Sequence, residues 1–350
     1  MESKRLEMFE VGPCKDGFEM GFLIGERFSS MIKSRLENDV ILQKQMLPFA
    51  ESPHSNPLLT SLSQTNKKKY PIYWDELKGT AQGSGAPFLH IMLLNFRKEI
   101  LPFIPKADAT NDDCTDILVV AESMAVAAHN EDANVALLGH TYLIKGNLES
   151  GASFTAYTYA GELPTCAFGF NTHGLAFTLN SVPPTRHEIA AGGIGRNFIS
   201  RDLLQAQNLD DALARLYTSE ASVGHSYNLI DVNTRRILNV ETASRNRCSV
   251  HEVGSLPFFH ANTYLHLQVQ QEQDDNSLSR QKRATVLPTG STSDFLALLG
   301  DNDDTKYPIY MTGPLLHTLC TVVVDLDRKT LSIIEGNPKE REASFVFPMS

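Results

Sequence analysis

Asn111-Asp-Asp-Cys114-Thr-Asp116 sets a cysteine where a polar, Pro-bearing passage (Leu101–Asp113) gives way to an apolar, strand-like run. A thiol at such a junction opens onto a cleft instead of lying in the core, and as a thiolate it attacks carbonyl carbon. Further on, His129-Asn-Glu-Asp132 follows the small apolar run Met124–Ala128, and a hairpin would return this polar cluster toward Cys114. Two more segments stand out, Gly169-Phe-Asn-Thr-His-Gly-Leu-Ala-Phe-Thr-Leu-Asn180 and Phe259-His-Ala-Asn262-Thr. Each has a plainer reading. A single cysteine at a strand start is ordinarily a small core hydrophobe, Glu131 reads as a turn residue, and Asn171 with Gly174 shapes a tight turn.

The elements that must position these residues fall into two parts. From Asp16 to Met46 apolar residues recur at helical spacing, and a second helical run covers Tyr73–Thr80, so residues 1–113 read as a mainly helical segment. Leu101–Asp113 reads as an exposed linker. Residues 114–350 are strand-rich: Cys114–Val120, Thr141–Lys145, Ser153–Tyr159, Cys166–Phe170, Leu175–Asn180, Tyr227–Asp231, Ile237–Glu241, Phe258–Asn262, Cys320–Asp325 and Thr330–Glu335, interrupted by helices over Phe198–Gln207 and Asp210–Thr218. Strands in runs with segregated helices predict an α+β layered fold in which both parts form one compact domain.

On Cys114, Asn130, Asp132, the Gly169–Asn180 segment and Phe259–Thr263, the chain resembles the acyl-CoA:6-aminopenicillanate acyltransferase type of cysteine N-terminal-nucleophile enzyme (peptidase C45 type), a relation of the choloylglycine hydrolases and acid ceramidase-like amidases. The resemblance implies a four-layer αββα sandwich, self-cleavage between Asp113 and Cys114, and hydrolysis or transfer of an acyl group at an amide through a Cys114 thioester. It implies that Asp132 positions the nucleophile, that the Asn262 side chain supplies an oxyanion donor with a backbone N–H near Asn180 as the second, and that Asn130 shapes the site. Two positions depart from the family pattern. Asp113 stands where Gly commonly precedes the nucleophile, and His129 stands where bile-salt-type hydrolases carry Arg, exchanging a permanent cation for a titratable one. The Asp113 departure leaves an alternative open: an uncleaved, inactive protein that keeps the fold for binding. Another is a cysteine peptidase of a different fold using Cys114 with His225 or His260.

Composition narrows the partners. A net charge of −10 argues against nucleic acid, and no stretch has the apolar length of a membrane span. Five scattered cysteines indicate neither a disulfide framework nor a metal site, and Cys14, Cys166, Cys248 and Cys320 read as inert buried thiols in a cytosolic protein. The expected substrate is a small acylated amine or amino acid, with no cofactor beyond acyl-CoA as a co-substrate, and the two cleaved segments stay associated. His129, Arg196 and Arg280 are candidate substrate-binding residues. Gly192-Gly-Ile-Gly-Arg196 reads as a flexible loop entering a helix, Gln271–Ser279 as solvated surface or a helix start, and Ser279–Arg283 as a solvated basic face, with capture of a carboxylate or CoA phosphate as its sharper meaning.

Overall fold

The computed structural model describes residues 6–105, 113–147, 152–164 and 167–349. The chain opens with strand β1 (Glu7–Val11), followed by α1 (Gly17–Arg27), α2 (Ser29–Asn38), a π-helical turn, α3 (Leu47–Glu51), α4 (Asn56–Lys69), α5 (Pro71–Ser84), α6 (Phe88–Asn95) and α7 (Arg97–Ile100). Then come β2 (Cys114–Ala121), β3 (Met124–Asn134), β4 (Thr141–Asn147), β5 (Ser153–Tyr159), β6 (Phe168–Asn171), β7 (Leu175–Ser181), α8 (Arg196–Leu203) and α9 (Leu209–Tyr217). The chain continues through β8 (His225–Asp231), β9 (Arg236–Ala243), β10 (Arg247–Glu252), β11 (Phe258–His260), α10 (Asp275–Ala284), α11 (Thr292–Leu299), β12 (Leu316–Asp325), β13 (Thr330–Ile334) and β14 (Phe345–Pro348).

Among the described residues the strands form two sheets, ordered β1-β4-β5-β6-β7-β8-β9-β10 and β11-β2-β3-β12-β13-β14. Three apolar cores define the layers. One joins the N-terminal helices, α8 and α9 to the larger sheet (Ile32, Trp74, Phe198, Leu229). A second lies between the sheets (Leu118, Ala127, Tyr157, Val322), and a third joins the smaller sheet to α10 and α11 (Ile117, Val126, Phe295, Leu299). The result is the expected α+β sandwich with αββα layering. β2 and β3 are buried on both faces, so their apolar residues run continuously and only strand parity separates the layers they face. Leu118 and Ala127 point between the sheets, whereas Ile117 and Val126 point to the outer helices.

Several elements depart from expectation. β1 adds a parallel edge to β4, which ties the N-terminal segment into the larger sheet. β10, β14 and α11 carry no expected counterpart. Leu101 and Asp113 are buried, so the ends of the passage between them are not an exposed linker; residues 106–112 lie outside the described residues, as does Cys166. Cys14 and Cys248 are half-buried rather than fully buried.

Helices α1 and α5 touch backbone to backbone. A Cβ on Gly21 would lie 1.9 Å from the Glu76 carbonyl oxygen, and one on Gly79 would lie 2.0 Å from that of Phe18. Gly→Ala in an open helix favours folding by up to about 1 kcal/mol, but overpacking costs about 1–3 kcal/mol and backbone cannot step aside cheaply. Gly21→Ala is therefore expected to lower stability, read as a reduced urea midpoint at unchanged m-value; a raised midpoint would refute the close contact.

Candidate active site

The β2–β3 hairpin turns at Glu122-Ser123, and its register pairs Cys114 with Glu131 and Asp116 with His129. The parity that sends Leu118 and Ala127 between the sheets sends all four of these side chains there too. Cys114 Sγ lies 3.6 Å from Glu131 Oε2, which is 3.1 Å from His129 Nε2, and His129 Nδ1 is 3.0 Å from Asp116 Oδ1. Thr178 Oγ1 donates to the same Asp116 oxygen at 2.8 Å, and the Tyr159 hydroxyl donates to Glu131 Oε1. Every member of this chain is buried.

Burial alone would lower the His129 pKa, but Asp116, with further hydrogen bonds to Cys114 and Glu131, holds it well above the ordinary histidine value. Burial likewise works against the Asp116 carboxylate, and His129 outweighs it, leaving that pKa lowered. The ring is thus an imidazolium donating to two carboxylates. Burial pushes the Cys114 thiol far up and Glu131 adds to the rise, while His129 opposes it. In the continuous chain Cys114 is a protonated, enclosed thiol rather than one open to a cleft. Cys114, His129 and Glu131 are also the group, among the described residues, whose ligand atoms crowd within 4.8 Å as a metal ion requires. Both imidazole nitrogens stand at hydrogen-bond distance from carboxylate oxygens, 3.0 Å from Asp116 and 3.1 Å from Glu131.

The Asp113–Cys114 peptide is gripped at every polar atom. The Asp113 carbonyl accepts from the Asp132 backbone N–H at 3.0 Å, and the Cys114 N–H donates to Asn262 Oδ1 at 2.9 Å. From α10, Arg280 Nη1 donates to the Cys114 carbonyl and to Thr115 Oγ1, both at 2.7 Å, while Nη2 donates to Asn262 Oδ1 at 2.8 Å. The Asp113 carboxylate accepts from Asn276 at 2.7 Å and lies 3.7 Å from Arg280. Asp132 is buried with Thr318 donating to one oxygen; burial raises its pKa to about 7, against the pull of Arg280.

A cavity of about 790 Å³ lies beside this hairpin, lined among others by Arg35, Asp39, Arg97, Tyr159, Glu162 and Arg196. Its size suits a small-molecule site. Arg35 pairs with Glu162 at 2.5 Å and with the Ala160 carbonyl at 2.8 Å, and Arg97 pairs with Asp39. Tyr159 connects the two regions, since it lines the cavity and its hydroxyl reaches Glu131.

The structure brings Cys114, Asp132 and Asn262 together at the Asp113–Cys114 junction, and Arg196 lines the cavity. Other expectations change. Glu131 is a buried strand residue at the thiol, not a turn residue. His129 lies behind Glu131 and not at the cavity wall. Asn130 points to the opposite layer, donating to the Leu299 carbonyl at 2.8 Å and accepting from Thr321 at 2.7 Å. Arg280 is neither a solvated face nor an anion receptor, being fully buried against the junction. The segment read as solvated at Gln271–Ser279 supplies Asn276, and also Ser277, whose hydroxyl accepts from the Asn262 N–H at 3.1 Å. The Gly192–Gly195 loop is pinned, with the Ile194 N–H on the Glu220 carbonyl and the Ser222 N–H on that of Ile194. Asn180 donates to the Ala261 carbonyl at 3.2 Å, beside Asn262. Asn171 accepts from the His173 N–H at 3.0 Å and, with Gly174 at φ 78°, forms the tight turn expected of it. No described hydrogen bond joins His225 or His260 to Cys114; the histidine at the thiol is His129. Sequence reasoning passed over Asp116, Tyr159 and Thr178. Counting back across a two-residue turn at Glu122-Ser123 would have set Glu131 opposite Cys114.

The family profile described as "AAT: Acyl-coenzyme A:6-aminopenicillanic acid acyl-transferase" matches residues 119–340, a span that starts within β2, just past Cys114. The chain is 28% identical to "Beta-alanyl-dopamine/carcinine hydrolase" of Drosophila melanogaster, over 95% of this chain and 94% of the relative. It is 23% identical to "Acyl-coenzyme A:6-aminopenicillanic-acid-acyltransferase 40 kDa form" of Emericella nidulans, over 84% of this chain and 83% of the relative. Among solved structures, the "Caenorhabditis elegans N-acylethanolamine-hydrolyzing acid amidase (NAAA) ortholog" aligns with TM-score 0.42 and 11% identity, over 61% of this chain and 93% of that one.

Proposed function

Because the chain belongs to the acyl-coenzyme A:6-aminopenicillanic acid acyl-transferase family, we propose that it matures by cutting itself between Asp113 and Cys114 and then acts on small acyl amides through a Cys114 thioester. At the coarser level it is an enzyme of the N-terminal-nucleophile type, an amide hydrolase or acyltransferase. The observation that carries the finer reading is the Asp113–Cys114 peptide itself, its carbonyl on the Asp132 N–H and its nitrogen on Asn262.

Cleavage frees a Cys114 α-amino group, whose reference pKa of about 7.7–8.0 suits it to take the thiol proton at neutral pH. The thiolate attacks the substrate carbonyl. The oxyanion is met by the Asn262 amide, which in the continuous chain donates to the Ser181 carbonyl at 2.8 Å, and by a backbone N–H near Asn180. Asp132 positions the nucleophile. Water or an amine then takes the acyl group from sulfur, so no cofactor is needed, and acyl-CoA, itself a thioester, can serve as acyl donor. The cavity walls carry both signs of charge, which suits a polar acylated amine or amino acid, the kind of substrate for which the Drosophila relative is named. A cytoplasmic location belongs to the same proposal; no described helix is long and apolar enough to cross a membrane.

In the matured protein, iodoacetamide near neutral pH is expected to label Cys114 first, with loss of amide turnover in step. Burial pushes Cys14 and Cys248 up to about 11, which makes them slow. Peptide mapping that finds Cys114 no faster than these two would remove it as the nucleophile.

A further inference from the structure

We infer that Glu131 is the general base that starts self-cleavage, held in place by His129, Asp116 and Tyr159; this rests on the reading of Cys114 given above. An N-terminal nucleophile ordinarily uses its own α-amino group, but before cleavage that nitrogen is an amide and accepts no proton. A different group must therefore take the thiol proton in the precursor. Among the described residues, Glu131 is the carboxylate hydrogen-bonded to Sγ, at 3.6 Å and directly across the hairpin.

Its surroundings suit a base. Glu131 accepts from the imidazolium and from the Tyr159 hydroxyl, both of which fix its oxygens, while Asp116 anchors the far side of the ring. His129, Asp116 and Tyr159 are positioning residues, and Glu131 touches the reacting atom. In the step itself the Sγ proton passes to Glu131 Oε2 while sulfur bonds to the Asp113 carbonyl carbon. The π pair moves onto oxygen, against the Asp132 N–H at 3.0 Å. Collapse of this adduct breaks the C–N bond, and the proton held by Glu131 goes to the departing Cys114 nitrogen. The products are an Asp113 thioester on Cys114 and a free α-amino group. Water then hydrolyses the thioester, releasing the Asp113 carboxyl and restoring the thiol. From that point the α-amino group serves as the base.

The test follows conversion of full-length precursor, made by cell-free translation, into fragments. Wild type is expected to convert and Cys114→Ala to stay whole. Glu131→Gln should convert about a hundredfold more slowly or worse. Glu131→Ala should be as slow but accelerated by formate, a small carboxylate that replaces the lost base; a packing role gives no such rescue. Tyr159→Phe keeps the ring and removes only the donor, and should slow conversion to an intermediate rate even if the Glu131 variants do not fold. Conversion of Glu131→Gln within about threefold of wild type would overturn the inference while leaving the Cys114 reading intact. So would slow conversion of Glu131→Ala that formate leaves unchanged, or Tyr159→Phe converting at the wild-type rate where the Glu131 variants do not fold. A wild-type precursor that never converts would sink both.

Discussion

Wild-type protein is expected to run on a denaturing gel as two fragments, residues 1–113 and 114–350, and Cys114→Ala as one full-length chain. The difference should be close to all-or-none, because removing the sulfur removes the atom that attacks the Asp113 carbonyl and no hydroxyl or thiol replaces it. Cys114→Ser retains a weaker nucleophile and should convert slowly. Asp113 in place of Gly does not forbid the cut, since the peptide is already held with its carbonyl oxygen on an N–H donor and its carboxylate on Asn276. Under native conditions the fragments should co-purify. β1 lies beside β4 as a parallel edge, and the N-terminal helices share one apolar core with the larger sheet. N-terminal sequencing of the larger fragment should begin at Cys114. One full-length band from folded wild-type protein would instead favour an uncleaved binding protein on the same fold.

How much of this was readable in advance depended on whether local chemistry and tertiary role agreed. Ser153–Tyr159 is aromatic and β-branched, and the strand occupies those same residues. β1 is only five residues, Glu-Met-Phe-Glu-Val, in which two glutamates break any strict apolar alternation, and it exists through its pairing with β4. α11 follows Pro288-Thr-Gly290, which reads as loop, and its helix depends on the Ser291 cap and on burial of Phe295 and Leu299.

The candidate site divides in the same way. Cys114, Asp132 and Asn262 were legible as types in order, because family likeness records order. Glu131 was not, since Asn-Glu-Asp is good turn chemistry in isolation and only the hairpin register makes it a strand. Arg280 failed for a different reason: a basic run in an acidic chain usually faces water, and its burial is caused by acceptors that converge from β2, the segment just after β11 and α10 only after folding. The cavity pairs Arg35–Glu162 and Arg97–Asp39 have no sequence spacing to betray them.

Strand parity splits the labour at this site. The Cys114 side chain lies between the sheets with Glu131, His129 and Asp116, whereas its backbone is clasped from the outer layer, where Thr115, Asp132 and Arg280 meet. Arg280 is the cation that meets the Cys114 carbonyl and the Asp113 carboxylate there. Arg280→Met is accordingly expected to cost on the order of 3–5 kcal/mol, the range for breaking a buried ionic cluster. Both chains must be uncut for a fair comparison, so the measurement is urea unfolding of Cys114→Ala against Cys114→Ala/Arg280→Met. Methionine fills similar space but removes the donors to the Cys114 carbonyl, Thr115 Oγ1 and Asn262 Oδ1, the last keeping only the Cys114 N–H, and removes the charge that restrains the Asp132 pKa. The pH dependence separates the two effects. Asp132 has a folded pKa raised to about 7 from an ordinary 3.8, so its favourable contribution is complete below the unfolded value and is lost as pH rises through about 7. Without Arg280 that folded pKa moves higher still and the loss continues further up the scale. The stability gap between the two chains should therefore be nearly constant from pH 5 to 6 and widen from about pH 7 to 9. Arg280→Lys should recover only part of it, because an ammonium cannot reproduce a planar fork reaching separate acceptors. A gap below about 1 kcal/mol, flat across this range, would show that Arg280 does not hold the junction.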